Sequence, residues 1–179
     1  MSTLCLDEVM NPQPSGQLRK SGPGRDLMLF RTFDAPIEAV WAMVTEPERT
    51  ASWFATWKGE AVPGGTIEFT MTFEEGATAQ QMTINACEPP RHLEVNAVDE
   101  YGSWHLELDL EDQGTSTTLQ FTHHLDESAN PGEVGPGWEY YLDNLMAAYR
   151  GTPSPSFDDY FPAQQPFYDN LNRALRASG

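Results

Sequence analysis

Between Thr66 and Leu125 the chain repeatedly alternates apolar and polar residues at period two, and short breaks separate the runs. TIEFTMTFEE sets Ile67, Phe69, Met71 and Phe73 against Glu68, Thr70 and Thr72. TAQQMTINACE places Gln80, Met82, Ile84 and Ala86 on one face. RHLEVNAVD aligns Leu93, Val95 and Ala97, and GSWHLELDLED aligns Trp104, Leu106, Leu108 and Leu110. STTLQFTHHL aligns Thr117, Leu119, Phe121 and His123. This pattern predicts strands with one dry face. Connections this short imply antiparallel pairing, because a parallel crossover needs a dozen or more residues. The result is one antiparallel sheet whose dry face must be covered.

GPGWEYYLDNLMAAYRG, from Gly135 to Gly151, is the available cover. Trp138, Tyr141, Leu142, Leu145, Met146 and Tyr149 recur at helical spacing. Glu139, Asp143 and Asn144 fall largely off that stripe, and Gly151 is placed to end the helix. Upstream, Leu27 to Asp34 has strand composition, with Leu27, Leu29, Arg31 and Phe33 on one side. Asp34 or Ala35 is expected to cap a helix that begins at Pro36 and carries Ile37, Val40, Trp41 and Val44 on one stripe. Thr45 is expected to cap a second, short helix from Pro47 to about Trp53, with Glu48 completing a capping box.

Residues 1–24 are rich in Pro, Gly and Ser and read as a flexible lead. The main domain is expected over 25–151. Residues 152–179 form a proline-punctuated extension whose aromatics, Phe157, Tyr160, Phe161, Phe167 and Tyr168, are too many for a disordered tail; it is expected to pack on the domain, with docking on a partner as the alternative. Phe167, Leu171 and Leu175 fit one face of a last helix.

Ten basic and twenty-seven acidic side chains give a formal charge of -17. Such a surface repels phosphate backbones and anionic membranes, so neither nucleic-acid binding nor membrane insertion is expected. No long apolar run marks a signal peptide or membrane span, and the plain inference is a cytoplasmic protein. Cys5 and Cys87 do not make a disulfide framework. His123 and His124 are adjacent and so point to opposite faces of a strand, and His92 and His105 fall on polar phases. No metal site is expected, and no cofactor. There is no nucleophile motif. Gly132 to Gly137 lacks the lysine of a phosphate loop and reads as a flexible loop before the long helix. The acid pairs Glu74-Glu75, Glu111-Asp112, Asp126-Glu127 and Asp158-Asp159 read as solvated surface.

FRTFDAPIEAVWAMVTEPERTASWF (Phe30–Phe54), GGTIEF (Gly64–Phe69) and GWEYYLDNLMAAYRG (Gly137–Gly151) together resemble the START-like helix-grip superfamily, SRPBCC, which also includes Bet v 1-like folds. More narrowly they resemble the domain named for the activator of the Hsp90 ATPase. The matching positions are Asp34-Ala35-Pro36, Glu38, Val40-Trp41, Trp53, Gly64-Gly65 with Ile67 and Phe69, and Gly137-Trp138 with Leu142 and Leu145. The resemblance implies an α+β fold in which a curved antiparallel sheet wraps a long C-terminal helix, with two short helices after the first strand.

It also implies a cavity between sheet and helix that takes a small apolar or amphipathic ligand. The alternatives it implies are a protein-interaction module for a chaperone partner and a cyclase- or hydratase-like enzyme. Either a monomer or a homodimer is compatible with it. On the dry phases the expected wall includes Trp57, Phe69, Met71, Met82, Trp104, Leu106 and Phe121. From the helix it includes Trp138, Tyr141, Leu145 and Tyr149. Arg31, Gln80 and His123 are polar residues on nominally dry phases, expected to orient the ligand, and His123 is the one candidate for a catalytic base.

Overall fold

A computed structural model describes residues 11–179 of the chain. Eight antiparallel strands form one sheet: β1 Gln17–Ser21, β2 Gly24–Phe33, β3 Ala55–Gly59, β4 Thr66–Met71, β5 Gln80–Glu88, β6 His92–Asp99, β7 Gly102–Asp112 and β8 Thr117–Leu125. The order across the sheet is β1-β2-β8-β7-β6-β5-β4-β3. Two short helices, α1 Ile37–Thr45 and α2 Pro47–Thr50, connect β2 near one edge to β3 at the other. The long helix α3, Pro131–Arg150, lies against the dry face of the curved sheet. This is the expected helix-grip α+β architecture.

The dry face follows the period-two reading. Leu27, Leu29, Phe33, Leu119, Phe121 and Leu125 are buried on β2 and β8, and Ile67, Phe69, Met82, Ile84, Val95 and Leu106 on the strands beyond. One phase is reset: the β5–β6 register shifts between Ile84 and Ala86, so that Cys87, opposite Leu93, turns inward in place of Ala86. A bulge of this kind adds a residue to one strand and leaves no signature in a simple alternation.

Several boundaries differ from expectation. Gln17–Ser21, read as part of a flexible lead, is strand β1: Gly22, at φ 55°, allows the tight turn that pairs Ser21 with Gly24. Residues 1–10, including Cys5, lie outside the described residues. Pro36 and Glu46, rather than Asp34, Ala35 or Thr45, precede α1 and α2, and no side chain caps either helix. The Thr45 hydroxyl donates instead to the Trp41 carbonyl at 2.7 Å.

The largest difference is at α3, which begins at Pro131 and absorbs the glycine-rich stretch expected to be a flexible loop. Asn130 caps it, its side-chain oxygen accepting from Gly132 N at 3.0 Å. Pro136 inside the helix removes one internal hydrogen bond. Tertiary packing outweighs that cost. Helix α4, Gln165–Ala177, lies so close that a Cβ on Gly135 would stand 2.6 Å from the Tyr168 ring. The glycines that weaken this stretch as a helix are what admit its neighbour. At the other end Gly151 adopts φ 67°, with Gly151 N bonded to Ala148 O and Thr152 N to Ala147 O, a Schellman termination.

The extension packs on the domain. Tyr160 and Tyr168 are 2% and 0% exposed, and α4 contacts α3 and β1. Glu139, expected on the polar side of α3, is fully buried beneath the extension and accepts from the Tyr168 hydroxyl; Asn144, expected on the same side, is also fully buried.

Candidate functional site

A cavity of about 370 Å³ lies between the sheet, α1–α2 and the flank of α3. Strands β3–β8 contribute Trp57, Ile67, Phe69, Met82, Ile84, Cys87, Leu93, Val95, Leu106, Leu108 and Phe121. The helices contribute Trp41, Val44, Trp138 and Leu142, and the turn after α2 contributes Trp53 and Phe54. Glu46 and Ala61 are lining residues that are also exposed, so the opening lies between the α1–α2 junction and the β3–β4 connection.

Three of the four indole N–H groups of this wall, all but that of Trp41, are committed to protein acceptors, as are its threonine hydroxyls. Trp53 Nε1 donates to Met43 O and Trp57 Nε1 to Thr45 O, each at 3.0 Å. Trp138 Nε1 donates to His123 Nδ1 at 3.1 Å. The Thr45 and Thr50 hydroxyls donate to helix carbonyls, and Glu46 accepts from Arg49 at 2.7 Å. What remains facing the cavity is chiefly ring faces and aliphatic carbon, plus Cys87, whose thiol burial pushes up and so keeps protonated.

Of the fourteen residues expected to form the wall, Trp57, Phe69, Met82, Leu106, Phe121 and Trp138 do so. The other eight are outside it, for distinct reasons. Met71 ends β4 and packs at its margin, and Gln80 begins β5 opposite Phe69. Leu145 is completely buried in the solid part of the core. The Tyr141 hydroxyl donates to Glu74 at 2.8 Å, and the Tyr149 hydroxyl to Asp34 O at 3.0 Å. Both hydroxyls are therefore spent on exposed protein acceptors outside the cavity.

Arg31 does not reach the cavity either. Its Nη2 donates to Glu139 Oε2 at 2.8 Å and to Asp143 Oδ1 at 2.9 Å. Burial alone would lower its pKa, but the two carboxylates outweigh that and raise it. Glu139 also accepts from Gly16 N at 2.9 Å, from Ser15 N and from the Tyr168 hydroxyl, while Tyr160 donates to Asp143 at 2.7 Å. This buried lock joins β2, α3, the extension and the segment before β1.

His123 is 2% exposed and stacks on Trp104, with ring centroids 5.3 Å apart. Burial lowers its pKa to about 4, partly offset by the Ser103 backbone, so the ring is neutral at pH 7. With Nδ1 accepting from Trp138, its proton sits on Nε2. It is a packed partner of two tryptophans and not a base facing the cavity.

The wall was partly legible in the sequence. Ile67, Ile84, Leu93, Val95 and Leu108 lie on the dry phases, and Trp41 and Val44 on the α1 stripe. The alternation does not say which stretch of the dry face α3 fills and which it leaves open. On the opposite face of the sheet, one group among the described residues is placed to hold a metal ion: His92, Glu107 and Asp109.

The family described as activator of Hsp90 ATPase homolog 1-like protein matches residues 34–150. CalU16 from Micromonospora echinospora is similar in structure, with a TM-score of 0.70 and 29% identity over 89% of this chain and 96% of that one. EF2215 from Enterococcus faecalis, a conserved protein of unknown function, has a TM-score of 0.71 at 18% identity, covering 89% and 91% of the two chains. DynU16, a protein in the dynemicin biosynthetic locus, has a TM-score of 0.61 at 20% identity, covering 74% of this chain and 50% of that one. The latter two likenesses show the fold alone. No curated protein matches the sequence. No helix among the described residues is long and apolar enough to cross a membrane.

Proposed function

The chain belongs to the activator of Hsp90 ATPase homolog 1-like family, and on that premise we propose that it binds a small, uncharged, largely apolar molecule in the cavity between its sheet and helices. The observation that carries this reading is the direction of the indole N–H groups. Trp53, Trp57 and Trp138 all spend them on protein acceptors and turn hydrocarbon toward the space. A guest gains by leaving water for these aromatic faces, at roughly 25 cal/mol per Å² of apolar surface. A guest with many hydroxyl or charged groups would lose its hydrogen bonds to water without replacement, which costs about 2 kcal/mol or more per group. The volume, about 370 Å³, is at the small end for ligand pockets, near the liquid volume of roughly a dozen waters. A compact aromatic or alicyclic molecule fits those limits.

Cys87 and Leu93 face each other across β5 and β6 on the wall. The uncharged fluorophore N-phenyl-1-naphthylamine is expected to bind saturably, one per chain. Cys87→Phe, which fills the space from the wall, should weaken that binding at least tenfold while leaving the melting temperature within a few degrees. Absence of saturable binding, or binding indifferent to a folded Cys87→Phe variant, would overturn the reading.

A further inference from the structure

The outer face of the sheet carries a band of histidines and carboxylates that the cavity does not use. His92 on β6 pairs directly opposite Asp109 on β7, and Glu107 lies two residues before Asp109 on the same face. His92 Nδ1 is 2.7 Å from Asp109 Oδ1 and 3.7 Å from Glu107 Oε1. The three donor atoms lie within 4.8 Å of one another, and all three side chains are partly exposed. Ligands bonded to zinc at about 2.0–2.1 Å in tetrahedral geometry stand roughly 3.4 Å apart. These two separations bracket that spacing, and an ion seated there takes the place of the proton in the His92–Asp109 hydrogen bond.

We propose that His92, Glu107 and Asp109 form a binding site for a first-row divalent metal ion such as Zn2+ on the outer face of the sheet. One imidazole and two carboxylates suit zinc, cobalt or manganese, whereas magnesium and calcium favour all-oxygen sets. Three protein ligands leave a position for water.

The surroundings support the same assignment. Glu107 is held in place from behind: its second oxygen, Oε2, is hydrogen-bonded to His124 Nε2 at 2.7 Å, and His124 Nδ1 to Asp26 Oδ1 at 2.7 Å. Asp26 is buried and accepts from Arg19 at 2.8 Å. This chain fixes the carboxylate and leaves Oε1 free to ligate, the kind of support that orients metal ligands elsewhere. Glu88, opposite His92 on β5, adds negative charge beside the site, and Glu94 on β6 is occupied by His105 at 2.6 Å. The site is built on three neighbouring residues of rigid strands and not on a loop, and the chain's charge of -17 favours cations generally.

The test is calorimetric titration of untagged, chelator-treated protein with ZnCl2, accompanied by visible spectra with Co2+. One saturable site per chain is expected, with a Co2+ spectrum of low coordination number. His92→Ala and Asp109→Asn should each weaken Zn2+ binding at least tenfold, and Glu75→Gln, in a turn remote in sequence, should not. Both positions are partly exposed, so the metal-free melting temperatures should stay close to that of the unsubstituted chain. If His92→Ala does not fold, Asp109→Asn decides alone. No saturable Zn2+ binding, unchanged affinity in a folded Asp109→Asn variant, or equal affinity for Mg2+ would overturn the proposal.

Discussion

Trp138 Nε1 donates to His123 Nδ1 at 3.1 Å, and both rings are more than nine-tenths buried. The bond joins the gripped helix to strand β8. It uses up the polar edge of a tryptophan whose ring face lines the cavity. It also requires a neutral histidine, because a protonated ring has no acceptor to offer.

A pH dependence follows. Burial lowers the folded-state pKa of His123 to about 4 from an ordinary value of 6.5. Between these values the unfolded chain takes up a proton that the folded chain refuses. The stability contributed by the neutral ring is complete above about pH 6.5 and is lost as pH falls toward 4. From pH 7 to pH 5 the loss attributable to this residue is about 2 kcal/mol. Urea unfolding of the wild type and His123→Asn at both pH values isolates it: the wild type should lose that much more than the variant. Proton NMR of the imidazole should show no titration between pH 7 and 5.5.

Leu142 is 1% exposed and stands on the helix surface that borders the cavity. Leu142→Ala enlarges an existing space and should cost about 2–5 kcal/mol, read as a fall in the urea midpoint. Leu142→Asp buries a charge without a partner and should abolish the cooperative thermal transition.

Among the described residues, Arg31 is the only cation paired with Glu139, which is 1% exposed. Arg31→Met should therefore cost about 3–5 kcal/mol, because it leaves a buried carboxylate uncompensated. Adding Glu139→Gln should recover part of the loss. Recovery in the double variant, measured by chemical denaturation, distinguishes an electrostatic lock from lost packing.

Two glycines of α3 should respond oppositely to alanine. At Gly135 a Cβ would stand 2.6 Å from the Tyr168 ring, and Gly135→Ala should destabilise by about 1–3 kcal/mol. At Gly137 a Cβ would meet nothing within 4 Å, and Gly137→Ala should stabilise by up to about 1 kcal/mol through helix propensity. Paired thermal melts of the two variants check both signs.

The sheet and its gripping helix were legible because burial on one face imposes a period, two in strands and 3.6 in helices, that survives into the residue order. The dry phases of β4 to β8 follow that rule. What was not legible depends on contacts distant in sequence. The start of α3 was hidden because Gly132, Gly135 and Pro136 argue against a helix locally, while Tyr168 rewards one. Arg31 looked like a ligand contact because its partners, Glu139 and Asp143, lie on another element and read as surface. His123 faces inward as its phase required, yet its neighbour Trp138 claims it. The bulge before Cys87 moved one wall residue by a single position. The His92 group arises from strand pairing across β6 and β7, which residue spacing along either strand does not display.

The central claim, an apolar guest among the tryptophans of the cavity, is tested most directly by methyl NMR during titration with N-phenyl-1-naphthylamine. Saturable shifts are predicted for Ile67, Ile84, Leu106 and Leu142, which line the space. Leu29 and Leu119, fully buried but outside the lining, should stay still. Shifts confined to surface methyls, or none at saturating probe, would contradict the account.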